Sequence, residues 1–214
     1  MIRTLFFVLL SISLGFNGYS QNPEELLSKL SERAKTFENI EATYSSKIVD
    51  LKNNFEETIS GKIYIEGDKF NLNLGEFIII SDGITVWTYE TETNDCYIDD
   101  ADMLIEEGMD PSRIFTIWED EFKSEWKGRE MVGDRDCVQI NLYPIDGEDK
   151  PYHTLKMYID DVNLEIVRLV VKGREGTDTD YIIESFKTGV TLPKSSFSFD
   201  KASFPGASMI DNRI

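Results

Sequence analysis

From Ile40 onward apolar and polar residues alternate with a period of two, and turn residues interrupt them at short, regular intervals. That is the pattern of an antiparallel sheet. The first run sets Ile40, Ala42, Tyr44, Ser46 and Ile48 against Glu41, Thr43, Ser45 and Lys47, and Lys52-Asn53-Asn54 reads as its turn. The second sets Ile59, Gly61, Ile63 and Ile65 against Thr58, Ser60, Lys62 and Tyr64, and ends in Glu66-Gly67-Asp68. The third places Phe70, Leu72 and Leu74 opposite Lys69, Asn71 and Asn73. Phe77-Ile78-Ile79-Ile80 follows, then the hairpin signal Asp82-Gly83 and the run Thr85 to Tyr89, in which Trp87 and Tyr89 share a face. Further strands are expected over 96–98, 122–127, 136–143, 154–160, 164–172, 179–188 and 197–200. About a dozen short strands without strand–helix–strand alternation predict a mainly β chain whose sheet curls into a barrel or half-barrel.

Two segments depart from this period. Before Ile40 a helix is predicted: Asn22 caps it, Pro23 takes the first helical position and Glu25 completes a capping-box-like pair. Leu26, Leu27, Leu30, Ala34 and Phe37 form one stripe, which must lie on something apolar. Residues 99–121 are the second departure. There Asp110 is expected to cap a short helix beginning at Pro111, with Ile114, Phe115, Ile117 and Trp118 exposed around much of its surface. Its acidic end, Glu119-Asp120-Glu121, opposes the helix dipole, so packing rather than propensity must hold it. The segment reads as a lid.

The residues before this helix change the setting. Arg3 is followed by a largely apolar run from Leu5 to Phe16, with small residues at Gly18 and Ser20, so residues 1–20 read as a signal peptide cleaved before Gln21. Residues 21–214 are then expected to form a single domain. No later segment has the ~20 apolar residues of a membrane-spanning helix, and no cysteine lies near the cleavage region to carry a lipid anchor. The exported chain is therefore expected to be soluble and free of the membrane. The full sequence has a formal charge of -18, about -19 once Arg3 is removed, which argues against nucleic acid and against anionic membrane surfaces. The two cysteines, Cys96 and Cys137, fall in different strands, and spacing leaves open whether they pair.

Candidate chemistry adds little. The single histidine, His153, lies in Lys150-Pro151-Tyr152-His153 and reads as an exposed turn residue. One His and two scattered Cys do not make a zinc site, and Asp99-Asp100-Ala101-Asp102 and Asp178-Thr179-Asp180 lack the calcium-loop pattern. Glycine-rich phosphate motifs are absent, and no pair stands out among the 40 acidic residues. No catalytic residue, metal or cofactor is expected.

The stretch Ile80-Ser81-Asp82-Gly83-Ile84-Thr85-Val86-Trp87-Thr88-Tyr89 resembles the "SDGxTxWxY" hairpin of the LolA-type periplasmic outer-membrane lipoprotein carriers. The order of leader, amphipathic helix, Ile40-to-Tyr44 and Gly61-to-Ile65 strands, Pro111 lid, and an ending from Phe197-Ser198-Phe199 to Asp211-Asn212-Arg213 supports it. The resemblance implies an incomplete antiparallel β-barrel of about 11 strands, covered by the N-terminal helix and short lid helices, around an apolar cavity. It implies a carrier of lipoprotein acyl chains from inner to outer membrane, a monomer that meets an inner-membrane release complex and an outer-membrane acceptor. Ile63, Ile65, Phe70, Leu72, Leu74, Ile78, Ile80, Trp87, Tyr89, Met157 and Ile159 are the expected cavity residues, with Leu27, Leu30, Ile114, Phe115, Ile117 and Trp118 in the lid. The same side chains also fit a dry core beneath helices. Proteobacterial members carry an Arg at the turn after the second strand, thought to hold the lid shut; here that turn reads Ile65-Glu66-Gly67-Asp68, so closure is expected to depend on Ile114, Phe115 and Trp118. Carriage of another envelope lipid, or a lipoprotein-sensing module, remain alternatives. Physical chemistry favours a carrier: at ~0.8 kcal/mol per methylene, an acyl chain of ~16 carbons costs ~12 kcal/mol in water.

Overall fold

The computed structural model describes residues 22–106, 111–148 and 150–213; the expected leader and Asp110 lie outside them. The chain opens with helix α1 (Pro23–Ala34). The Asn22 side chain accepts hydrogen bonds from the backbone N–H groups of Glu24 and Glu25 at 3.1 and 3.4 Å, the cap its position called for.

Six strands follow: β1 (Ile40–Asp50), β2 (Phe55–Glu66), β3 (Lys69–Asn73), β4 (Phe77–Ser81), β5 (Thr85–Glu90) and β6 (Asp95–Asp100). After an interruption come β7 (Phe122–Val132), β8 (Arg135–Pro144), β9 (Tyr152–Asp160), β10 (Glu165–Gly173), β11 (Thr177–Thr188) and β12 (Ser208–Asp211). They make one unclosed twelve-stranded sheet, ordered β12-β6-β5-β4-β3-β2-β1-β11-β10-β9-β8-β7. All neighbours are antiparallel except β12, which runs parallel to β6. The Asp82-Gly83 turn forms as expected: Gly83 has φ +89°, and the Asp82 carboxylate accepts from the N–H groups of Ile84 and Thr85.

Two expectations are corrected. Residues 197–200 are not a strand; Lys194–Phe197 is a 3-10 turn, and the last strand, Ser208–Asp211, lies further along the chain. The lid is not one helix from Pro111 but three short pieces: α2 (Asp102–Glu106), a 3-10 turn at Pro111–Arg113 and α3 (Trp118–Glu121). Its apolar residues are not exposed. Trp118 is buried, and Ile114, Phe115 and Ile117 are half-buried.

Ladder pairing divides the sheet into two faces, because directly opposed residues point the same way. Ile63 opposes Ala42, Ala42 opposes Phe186, Tyr181 opposes Leu169, and Leu169 opposes Met157, which opposes Ile140. This inner face carries α1 and the lid. Beneath α1, Leu26, Leu27 and Leu30 pack with Val138, Ile140, Leu142, Leu155, Met157 and Ile159 of β8 and β9. The outer face is covered at one end by the chain after β11. Phe199 stacks on Phe204 at 4.5 Å, and Tyr89 meets Phe204 at 4.6 Å. Cys96 and Cys137 are both free and buried, with eight strands between theirs in the sheet order.

Candidate functional site

Among the described residues, the inner face of β1–β4 and β11 is a large apolar surface that α1 leaves uncovered. On β1 it begins with Ile40 and Ala42; β2 adds Ile65 and Ile63, β3 adds Phe70 and Leu72, and β4 adds Ile79. Alternation puts these side chains on one side because the pairing keeps strict register from β1 to β4. Ile40, Ala42, Ile65 and Phe70 form its buried part, and Phe37, Leu104, Ile114, Phe115 and Phe186 pack down on them.

Phe115 is the keystone of this roof. It packs against both the cluster beneath α1 and the cluster on β1–β3. Its ring meets Phe186 edge-on at 6.1 Å, and Phe37 meets the same ring at 5.8 Å. The backbone beside it is tied down by Ser31 of α1. The Ser31 hydroxyl donates to the Phe115 carbonyl at 2.9 Å and accepts from the Trp118 indole N–H at 3.1 Å. Ser31 and Trp118 are both buried, so each depends on this contact for its partner. Ion pairs at the rim join Lys35 to Glu119, and Arg113 and Lys150 to Glu121, between 3.2 and 3.4 Å. Being partly open to water, they add little beside the Ser31 latch.

Away from the roof the inner face stays covered at Tyr44 and Ser46 and is exposed only toward Phe55 and Phe77. Along β1 the inner face continues as Tyr44, Ser46 and Ile48, opposite Gly61, Ile59 and Glu57. Beyond them lie Phe55, 50 % exposed, and Phe77, 37 % exposed. A pocket of about 230 Å³ penetrates the roofed end between Phe37, Ile40, Ile65, Gly67 and Phe115. It is smaller than the ~300 Å³ at which drug-sized ligand sites begin. A shallow hollow of about 420 Å³ bounded by Gly83, Ile84, Asp100, Asp102 and Met103 stands apart from the groove, on the β4–β5 turn.

A family model described as "Outer membrane lipoprotein carrier protein LolA" matches residues 35–200, which span the roof, the groove and every strand from β1 to β11. The chain belongs to the LolA family. Among solved structures it is similar to an uncharacterized conserved protein from Thermus thermophilus, at TM-score 0.59 and 12 % identity over 88 % of this chain and 98 % of that one. It is also similar to a LolA superfamily protein from Nitrosomonas europaea, at TM-score 0.44 and 12 % identity over 83 % and 97 %. A third is LprF from Mycobacterium bovis, at TM-score 0.47 and 13 % identity over 81 % and 97 %. No curated protein matches by sequence. The fold is that of a carrier and binding family, not of an enzyme family.

Against this LolA-type frame the expected site residues separate into three groups. Ile63, Ile65, Phe70 and Leu72 come together with Ile114 and Phe115 on the inner face of β2 and β3; Leu74 lies just past the end of β3, half-buried. Met157 and Ile159 lie on the same face but under α1, sealed with Leu27, Leu30 and Trp118, and with Ile117 packed alongside. Ile78, Ile80, Trp87 and Tyr89 do not join either group. Ile80 opposes Asn71 and Trp87, whereas Phe70 opposes Ser81, so these four point to the outer face, where Tyr89 meets Phe199 and Phe204. Sequence reasoning missed Ile79, Leu104, Phe37 and Phe186, which do reach the groove. His153 is exposed at the start of β9, with Nδ1 2.8 Å from the Thr154 hydroxyl.

Proposed function

We propose that this chain carries acylated lipoproteins, or acyl lipids of the same envelope, on the inner face of its sheet, shielding their hydrocarbon between two membranes. Its leader would send it across the inner membrane, and it would work in the periplasm without crossing a bilayer again. Among the described residues no helix is long and apolar enough to cross a membrane.

The observation that supports this reading is the unequal covering of one face. Beneath α1 the side chains are close-packed: Val138, Ile140, Leu142 and Ile159 have no exposure at all. The adjoining floor of Ile63, Leu72 and Ile79 is only half-buried, under a roof of short helical pieces tied to α1 through Ser31. An apolar surface that gains from being covered, beside a roof built of short pieces, suits a ligand taken up and later surrendered. Opening would expose a continuous path from Phe70 to Phe77.

Titration with a fluorescent palmitoyl lipopeptide tests this. Wild type takes up the probe with saturation, and Leu72→Glu or Ile63→Glu lowers affinity at least a hundredfold, because a carboxylate on the floor must be desolvated against the acyl chain. Absence of saturable uptake by the wild type contradicts the proposal.

A further inference from the structure

Three buried side-chain polar atoms have no hydrogen-bond partner among the described residues: the Tyr44 hydroxyl, the Trp126 indole N–H and the Tyr152 hydroxyl. Trp126 and Tyr152 belong to the close-packed cluster beneath α1. Tyr44 does not. It stands on the inner face of β1, two residues beyond Ala42, where the apolar roofed end of the groove gives way to the buried polar side chain of Ser46 and then to half-buried Ile48.

Three features of the chain put this phenol where it is. Tyr44 opposes Gly61 on β2, and the ring lies across the space a Cβ at Gly61 would fill, so the absent side chain lets the ring lie flat on the floor. On the other side, Tyr181 meets it edge-on with centroids 5.7 Å apart. The β1–β11 register also shifts between Thr43 and Tyr44, which inserts one extra residue on β11 beside this position. The bulge turns Ile183 and Tyr181 of β11 to the inner face beside Tyr44, and such bulges recur next to functional sites. Ser46, on the same face of β1, makes no bond to it; its hydroxyl donates to the Ile59 carbonyl at 3.3 Å.

A hydroxyl on a side chain only 5 % exposed, with no partner, is a standing cost, which phenylalanine in the same ring position would avoid. We propose that Tyr44 donates a hydrogen bond to the carbonyl oxygen of a bound acyl chain, so that the hydrocarbon runs toward Ala42, Ile63 and Phe70 under the lid and the head group lies toward Ser46. The inference rests on the carrier reading above and adds an orientation to it. The recognised chemistry is an acyl carbonyl, whether it comes from a lipoprotein or from a free lipid. Burial, with the neighbouring Tyr181, pushes the Tyr44 phenol well above its ordinary pKa, so it remains a donor throughout the neutral range.

The test uses two matched probe pairs with wild type and Tyr44→Phe. One pair is a palmitoyl-ester lipopeptide and its hexadecyl-ether counterpart; the other is palmitoylglycerol and hexadecylglycerol. Wild type is expected to bind the ester about tenfold more tightly than the ether, the size of one neutral hydrogen bond in a dry site. Tyr44→Phe should bind both at the level of the ether, while melting at or above the wild-type temperature because the ring is kept and the orphaned hydroxyl is gone. An effect in both pairs assigns recognition to the carbonyl itself, and an effect in the lipopeptide pair alone assigns it to lipoprotein cargo. Equal binding of ester and ether by the wild type, or an ester preference kept by Tyr44→Phe, overturns the inference and leaves the carrier reading intact. Wild type that binds no probe overturns both.

Discussion

At the scale of single residues, Ser31 ties the Phe115–Trp118 segment to α1. The missing turn arginine pointed to a lid held by packing of Ile114, Phe115 and Trp118; in the fold Phe115 and Trp118 pack with the cluster beneath α1 and Ile114 with that on β1–β3. The serine was not legible, because on a helical wheel it reads as part of the polar edge beside Leu27 and Leu30; only the folded chain shows it bonded to residues 84 and 87 positions away. Ser31→Ala removes the acceptor of the Trp118 indole and the donor to the Phe115 carbonyl together. It should lower stability by about 1–3 kcal/mol, the cost of stranding a buried polar group. Amide exchange should quicken across residues 115–118 with little change in β8 and β9. Equal protection of the lid in mutant and wild type would show that the serine does not hold it.

At the scale of elements, alternation located strands well and assigned faces unevenly. β1, β2 and β3 alternate cleanly between apolar and polar residues, and the face inferred for Ile63, Ile65, Phe70 and Leu72 agrees with their pairing. β4 is the run Phe77-Ile78-Ile79-Ile80, which has no polar phase, so pattern alone could not say which of its residues look inward. The reason for the uniform run is that both faces of this corner are covered: the lid side receives Ile79, and the outer side receives the chain after β11. There Asn71 donates to the Ser196 carbonyl at 2.7 Å, and Tyr89 meets Phe199 and Phe204. Phe197 and Phe199 looked like alternate residues of a strand; they are instead two anchors of a cover. Phe204→Ala should therefore destabilise the fold by about 2–3 kcal/mol in a denaturant titration, with acyl-probe affinity unaltered. A matching loss of probe binding in folded protein would place this cluster in the groove after all.

For the whole molecule, the proposed carriage rests on the asymmetry between the two halves of one sheet face. β7–β10 and α1 form a dense core that fixes the shape, while β1–β4 present a half-buried floor under short lid pieces. Period and turn chemistry made the sheet legible, but the lid's pieces are too short to carry a period, and which half stays open depends on where α1 docks. The charge of -18 keeps this greasy surface on a strongly acidic body, which resists both self-association and adsorption to anionic membranes. The most direct test of acyl carriage is photolabelling with a lipopeptide whose palmitoyl chain bears a terminal diazirine, followed by peptide mapping of the adducts. Carriage in the groove predicts labels on the inner face, at Ile63, Ile65, Phe70, Leu72, Ile79 or Phe115, competed away by unlabelled lipopeptide. Adducts concentrated at Ile80, Trp87 and Tyr89 on the outer face, or labelling that competitor leaves unchanged, would contradict it.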